Sequence, residues 1–154
     1  MTKKILIAVL VIIIGIQFIP VERNNPPVTQ EINAPENVLK ILKNSCYDCH
    51  SNETNWLWYS YVAPVSFLVA SDVRNGRKRV NFSEWDKYDE EKKEKKLEYI
   101  LEDVVEGEMP LAIYTLIHSD AKLSPEQVKT IENWVNGESS DSKKLRYEKE
   151  VEKD

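Results

Sequence analysis

The chain is short of the side chains that do most metal and redox chemistry. Its 154 residues hold two cysteines, two histidines and two methionines, one of them Met1. A structural zinc site would have to draw on Cys46, Cys49, His118 and one further ligand, and the usual second paired ligand motif is missing. Positive charge is not in excess either. The formal net charge is −5, and more negative still without Lys3 and Lys4, so the body would be repelled by a phosphate backbone and nucleic acid is excluded as a partner. No internal repeat or long low-complexity tract occurs. No run of alternating apolar and polar residues supports a substantial sheet, so the fold class is all-α.

What is present is concentrated. Both cysteines and one of the two histidines fall in Cys46-Tyr47-Asp48-Cys49-His50. Cys-x-x-Cys-His is the attachment signature of c-type haem. Each thiol adds across one porphyrin vinyl group: a carbon–sulfur bond forms and the thiol proton goes to the neighbouring vinyl carbon. The histidine is then held beneath the iron as an axial ligand. A thiol–disulfide pair would need the first cysteine activated at a helix N-terminus, whereas this pair follows a helix and no βαβ pattern surrounds it. A structural disulfide at this spacing closes too small a loop to constrain the unfolded chain much. One covalent haem c per chain is therefore expected, on Cys46 and Cys49, with His50 as a ligand.

The ends of the chain bear on its compartment. Lys3 and Lys4 precede an apolar run from Ile5 to Ile19, broken only by Gly15 and Gln17. This is a positive n-region followed by an apolar segment addressed to export. Phe18-Ile19-Pro20 offers no small-x-small cleavage site, so residues 1–21 are expected to remain as a signal anchor. The positive-inside rule then places the rest outside the cytoplasmic (inner) membrane, as a single-pass protein with a periplasmic or extracytoplasmic domain. The run is short, since about 20 residues normally cross the hydrocarbon core. Residues 22–34, with Pro26 and Pro27, are expected to form a semi-rigid linker. Residues 35–137 would form one small haem-binding domain. Residues 138–154, rich in Ser, Lys, Glu and Asp, read as a charged, disordered tail.

Within the domain a helix is expected over residues 35–44, with an apolar stripe of Val38, Leu39, Ile41 and Leu42 running into Cys46. Trp56, Trp58, Tyr59 and Tyr61 form an aromatic patch suited either to a pocket wall or to ordinary core. Pro64 opens a helix that Gly76 would cap. Arg74, Arg77, Lys78 and Arg79 would either complement that helix end or hold haem propionates. Residues 89–105 form a charged helix whose Leu97, Ile100, Leu101 and Val104 share one face. Ser124-Pro125-Glu126-Gln127 is a capping box opening the last helix, with Val128, Ile131, Trp134 and Val135 inward.

Low-spin electron-transfer haems take two protein ligands, usually His/Met or His/His. Met109, in the Gly107-Glu108-Met109-Pro110 turn, is the first choice for the second ligand, ahead of His118 and of an open sixth position. Such a protein is expected to carry single electrons to redox partner proteins that the sequence does not identify, without turning over a substrate of its own. The alternative is a haem-based sensor or peroxidase-like domain with an exchangeable sixth ligand.

From Ala34 to Gly137 the chain resembles the small bacterial haem-binding domain proteins (Haem_bd), relatives of monohaem c-type cytochromes. The resemblance rests on Cys46 to Asn52, Trp58-Tyr59 with Ala63-Pro64-Val65-Ser66, and Asp72-Val73 with Gly76-Arg77. It continues in Asn81-Phe82-Ser83-Glu84-Trp85, Gly107 to Leu111, and Tyr114-Thr115 with Ala121-Lys122-Leu123-Ser124. It implies a small cytochrome c-like helical domain around covalent haem on Cys46 and Cys49, with His50 as proximal ligand and Met109 opposite. The long stretch between His50 and Met109 departs from small soluble cytochromes.

Overall fold

A computed structural model describes residues 2–137, and the segment expected as a charged tail lies outside the described residues. Those residues form seven α-helices joined by loops and short 3₁₀ turns, with a single isolated bridge between Gln30 and Glu84. They are α1 (Thr2–Ile16), α2 (Glu36–Ser45), α3 (Tyr47–His50), α4 (Val65–Arg79), α5 (Glu90–Val105), α6 (Ala112–Ile117) and α7 (125–137). The all-α expectation holds.

Past Lys3 and Lys4 in its first turn, α1 is apolar around its whole circumference, and it buries none of its residues. Among the described residues no helix is long and apolar enough to cross a membrane.

Local chemistry accounts for the other helix ends. Asp89 caps α5 by accepting from the Lys92 N–H at 2.9 Å, and Glu90 and Glu91 meet the positive end of the helix dipole. Ser124 and Gln127 close the expected capping box of α7: the Gln127 N–H reaches Ser124 Oγ at 3.3 Å and the Ser124 N–H reaches Gln127 Oε1 at 2.8 Å. The core joins Val38, Ile41 and Leu42 of α2 to Leu97, Ile100 and Val104 of α5 and to Ile131, Trp134 and Val135 of α7. Tyr47, Phe82 and Trp85 fill the space between them. Leu42 and Ile131 are wholly buried, and each such side chain contributes about 1.5–3 kcal/mol relative to exposure. Leu39, Leu101 and Val128 are only partly covered at the rim of this core.

Two expectations about local structure change. Residues 25–32 do not stand away from the domain as a tether. The Thr29 and Ile32 N–H groups donate to the Ser83 and Phe82 carbonyls (3.0 and 2.8 Å), and Ile32 is buried in the core. The segment is held because a backbone edge about fifty residues away satisfies its donors, which local composition does not reveal. Gly76 does not cap α4, which runs one turn further to Arg79 before Val80 turns extended. A Cβ at position 76 would lie 2.9 Å from the Cys49 carbonyl carbon and 3.1 Å from Cys49 Cβ. Glycine is there so that α4 can cross the cysteine motif at close range.

Candidate functional site

The Cys46–His50 pentapeptide begins where α2 ends. The Cys46 N–H completes α2 on Leu42 O (2.8 Å), and the Cys46 carbonyl then receives the Cys49 and His50 N–H groups (3.1 and 2.9 Å). Both cysteines and His50 therefore sit on one tight turn, α3, pressed against α4 through Gly76.

His50 is the best-defined side chain of the site. Its Nδ1 lies 3.2 Å from the Val80 carbonyl. A carbonyl only accepts, so Nδ1 carries the proton and Nε2 is left with its lone pair free. Burial holds the imidazole below the usual histidine range, which keeps it neutral. A neutral imidazole fixed by a backbone acceptor on its far nitrogen is the arrangement that metal-ligating histidines use. The partner, Val80, is the first residue after α4.

The rest of the motif is tied into the 81–84 loop. The Phe82 N–H donates to His50 O (2.8 Å), and the Asn52 N–H donates to Ser83 Oγ (3.0 Å). Asn52 Oδ1 accepts from Asn81 Nδ2 (2.9 Å), while Asn52 Nδ2 reaches Pro27 O and Glu84 Oε1. All of these polar groups find partners, so the network gives rigidity without buried unpaired donors. Arg77 Nε donates to Ser51 O (2.7 Å), and its guanidinium also reaches Asn24, Asn25 and Thr54. Of the basic cluster, Arg77 is thus spent on structure.

A cavity of about 410 Å³ opens beside the motif, within the size range of cofactor sites. Cys46, Cys49, His50 and Met109 all line it, with Phe82, Ile100, Val104 and Leu111 as apolar wall. Met109 is delivered by the end of α5. Gly107, at φ +74°, allows the reversal, and the Glu108 and Gly107 N–H groups bond back to Asp103 O and Val104 O (2.9 and 3.2 Å). The Met109 N–H adds a third bond, to Asp103 O at 3.0 Å. Arg79 lines the same cavity and pairs loosely with Asp103 at 3.6 Å. Ser45, also on the wall, has a buried hydroxyl oxygen with no hydrogen-bond partner among the described residues.

His118 lies elsewhere. It lines an adjoining cavity of about 170 Å³, shares a 2.7 Å hydrogen bond through Nε2 with the Tyr59 hydroxyl, and stacks on Tyr114 at 4.3 Å. Tyr114 in turn donates to Asp48 Oδ2 (2.8 Å). Val65, Leu68 and Val69 of α4 border this second cavity and are not core. Of the aromatic patch, Tyr59 faces a cavity, whereas Trp58 is 76% exposed and walls nothing.

Burial pushes Cys46 and Cys49 up to about 12, the reverse of the depression that activates thiol–disulfide enzymes. Among the described residues no group of three or more His, Cys, Asp or Glu side chains could hold a metal ion. The zinc alternative finds no support there.

The four residues singled out from the sequence, Cys46, Cys49, His50 and Met109, line one cavity, while Val80, Gly76 and the Asn52–Asn81–Ser83 network were not anticipated there. The one local signal for these was the Asn81-Phe82-Ser83 run, whose short polar side chains flank a large apolar one.

No curated protein and no solved structure matches the chain. The pattern of the haem-binding domain family (Haem_bd) matches residues 11–137, most of the chain. The cavity agrees with that match: a fixed neutral imidazole and an apolar wall suit a porphyrin carrying iron. The chain belongs to the haem-binding domain family and is a haem-binding protein.

Proposed function

We propose that this protein is a membrane-anchored, extracytoplasmic monohaem cytochrome of the c type that passes single electrons and turns over no substrate of its own. The observation that carries the reading is the shared cavity: Cys46, Cys49, His50 and Met109 all border one space. In this reading Cys46 and Cys49 would hold the porphyrin by thioether bonds, and His50 and Met109 would serve as ligands to its iron. Bound haem supplies a reversible one-electron iron couple. The protein fixes both ligands, excludes water with Phe82, Ile100, Val104 and Leu111, and offers Arg79 and the Ser45 hydroxyl to the propionates. Val80 orients the imidazole and raises its basicity as a ligand. α1, with Lys3 and Lys4 in its first turn and an apolar remainder, supports the anchor and the extracytoplasmic placement.

The test is an absorption spectrum of the protein produced with c-type maturation factors, oxidised and reduced, then after acid-acetone extraction. Pigment that stays with the polypeptide and gives sharp six-coordinate reduced bands is expected. Colourless protein despite competent maturation overturns the reading. Met109→Ala should abolish the methionine-ligated spectrum and open the iron to carbon monoxide, while His118→Ala leaves it unchanged. The reverse pattern transfers the sixth ligand to His118. Ready binding of carbon monoxide by the unmutated protein would favour the sensor or peroxidase-like alternative.

A further inference from the structure

The loop between α3 and α4 presents an odd face. Trp58, Tyr61 and Val62 are 76%, 57% and 46% exposed, although Tyr59 and Ser60 between them turn inward. Exposed tryptophan beside exposed tyrosine leaves a large amphipathic surface in water.

This face is joined to the apolar helix. Gln17, just past the end of α1, binds both backbone groups of Ala63: its Nε2 donates to Ala63 O (3.1 Å) and its Oε1 accepts from the Ala63 N–H (2.9 Å). Arg23 completes the junction by donating to Ser60 O (3.3 Å) and lying 4.6 Å above the Tyr61 ring. The apolar helix therefore ends directly on the loop that carries the exposed rings.

The length of α1 adds a second argument. Its 15 residues span about 22 Å at 1.5 Å per residue, short of the ~30 Å hydrocarbon core. A short apolar span is accommodated by local thinning and by drawing flanking residues toward the headgroups. The residues that would be drawn down here are a tryptophan, a tyrosine and an arginine, the types that sit at the membrane–water interface.

We infer that the loop of residues 58–62 is a membrane seat: Trp58, Tyr61 and Val62 lie in the interfacial zone of the bilayer that holds α1, and Gln17 locks the haem domain to that surface in one orientation. The inference rests on the reading of α1 as an anchor. It commits the domain to lie on the lipid instead of swinging on a tether, with the Tyr59-lined cavity one residue from the headgroups.

The experiment is photolabelling of the full-length, haem-loaded protein in phosphatidylcholine–phosphatidylglycerol vesicles that contain a phospholipid with a diazirine near the glycerol. Labelled peptides are mapped by mass spectrometry. The comparison is with Leu116 and Ile117, which are equally apolar and 82% and 62% exposed but lie on another element. Expected is labelling of α1 together with residues 58–62, several-fold above residues 113–117. In Gln17→Ala, labelling of 58–62 should fall several-fold while that of α1 persists. Label on α1 but not on 58–62 overturns the seat and leaves the anchor standing. Label equal on 58–62 and 113–117 overturns the fixed orientation. Absence of label from α1 overturns the anchor and the seat together.

Discussion

His50 and Met109 border the same cavity, yet the chain holds them by different means. On the His50 side nearly every backbone group is engaged: Cys46 O receives two N–H groups, His50 O one, Ser51 O the Arg77 guanidinium, and the ring itself is bonded to Val80. The Phe82 ring beneath is 2% exposed and stacks on Tyr47 at 5.3 Å. On the Met109 side the chain returns from α5 through one turn and enters α6, which buries none of its residues. Val105, Ile113, Leu116 and Ile117 are all more than half exposed there. Dense burial and shielded hydrogen bonds put the His50 side at the high end of local stability, and their scarcity puts the Met109 side at the low end. The cavity thus has one wall that is set in advance and one that is free to move.

The largest expected effect tests the contrast directly. Phe82→Ala removes a buried ring from under His50 and should cost about 3–5 kcal/mol, whereas Ile117→Ala, on the exposed α6 that follows Met109, should stay within about 0.5 kcal/mol. Denaturant titration of the haem-loaded variants measures both. Equal losses would mean that α6 is buried once haem is in place and that the two sides are not distinct in the working protein.

Gly76→Ala probes the crossing of α4 over the cysteine motif. Alanine is the better helix former by roughly 0.5–1 kcal/mol, so propensity alone predicts a gain. The structure predicts a loss of about 1–3 kcal/mol, because the added methyl meets the Cys49 backbone and α4 must back away. Thermal melts give the sign, and a more stable variant would show that the close approach is not needed. The same displacement should disturb Val80 and with it the orientation of His50, so the spectrum should respond along with the melting temperature.

Much of this was legible from the residues, for physical reasons that differ by element. The α7 capping box and the α5 stripe are local, set by neighbours three and four positions apart. That Cys46, Cys49, His50 and Met109 share one cavity follows a motif of fixed spacing and a chain with few sulfur donors. Gly76 was misread because a glycine ahead of three cations looks like a helix end. In fact the cations themselves favour another turn at the negative end of the dipole, and the reason for the glycine, Cys49, lies 27 residues upstream. The docking of residues 25–32 was hidden for the same reason: its acceptors are Phe82 and Ser83. The Trp56–Tyr61 patch has no period that tells an inward ring from an outward one, so Tyr59 and Trp58 could not be separated.

The smallest effect concerns the outer edge of the His50 side. Glu31, in the docked segment, pairs with Lys43 of α2 at 2.8 Å and accepts from the Tyr47 hydroxyl at 2.9 Å. The hydrogen bond from Lys43 holds its carboxyl below the usual carboxylate range. A carboxylate depressed on folding stabilises the protein fully above its unfolded value, and that share is lost as pH falls through the folded one. Both partners are well exposed, so Glu31→Gln should cost less than about 1 kcal/mol at neutral pH. The gap between wild type and variant should close on acidification below the carboxylate range, and shrink in high salt at constant pH. Melting temperatures at pH 7 and pH 3 measure it. A gap that persists in acid would mean that Glu31 acts through the Tyr47 hydrogen bond, which glutamine reproduces imperfectly, and that the docked segment belongs to the rigid His50 side by shape more than by charge.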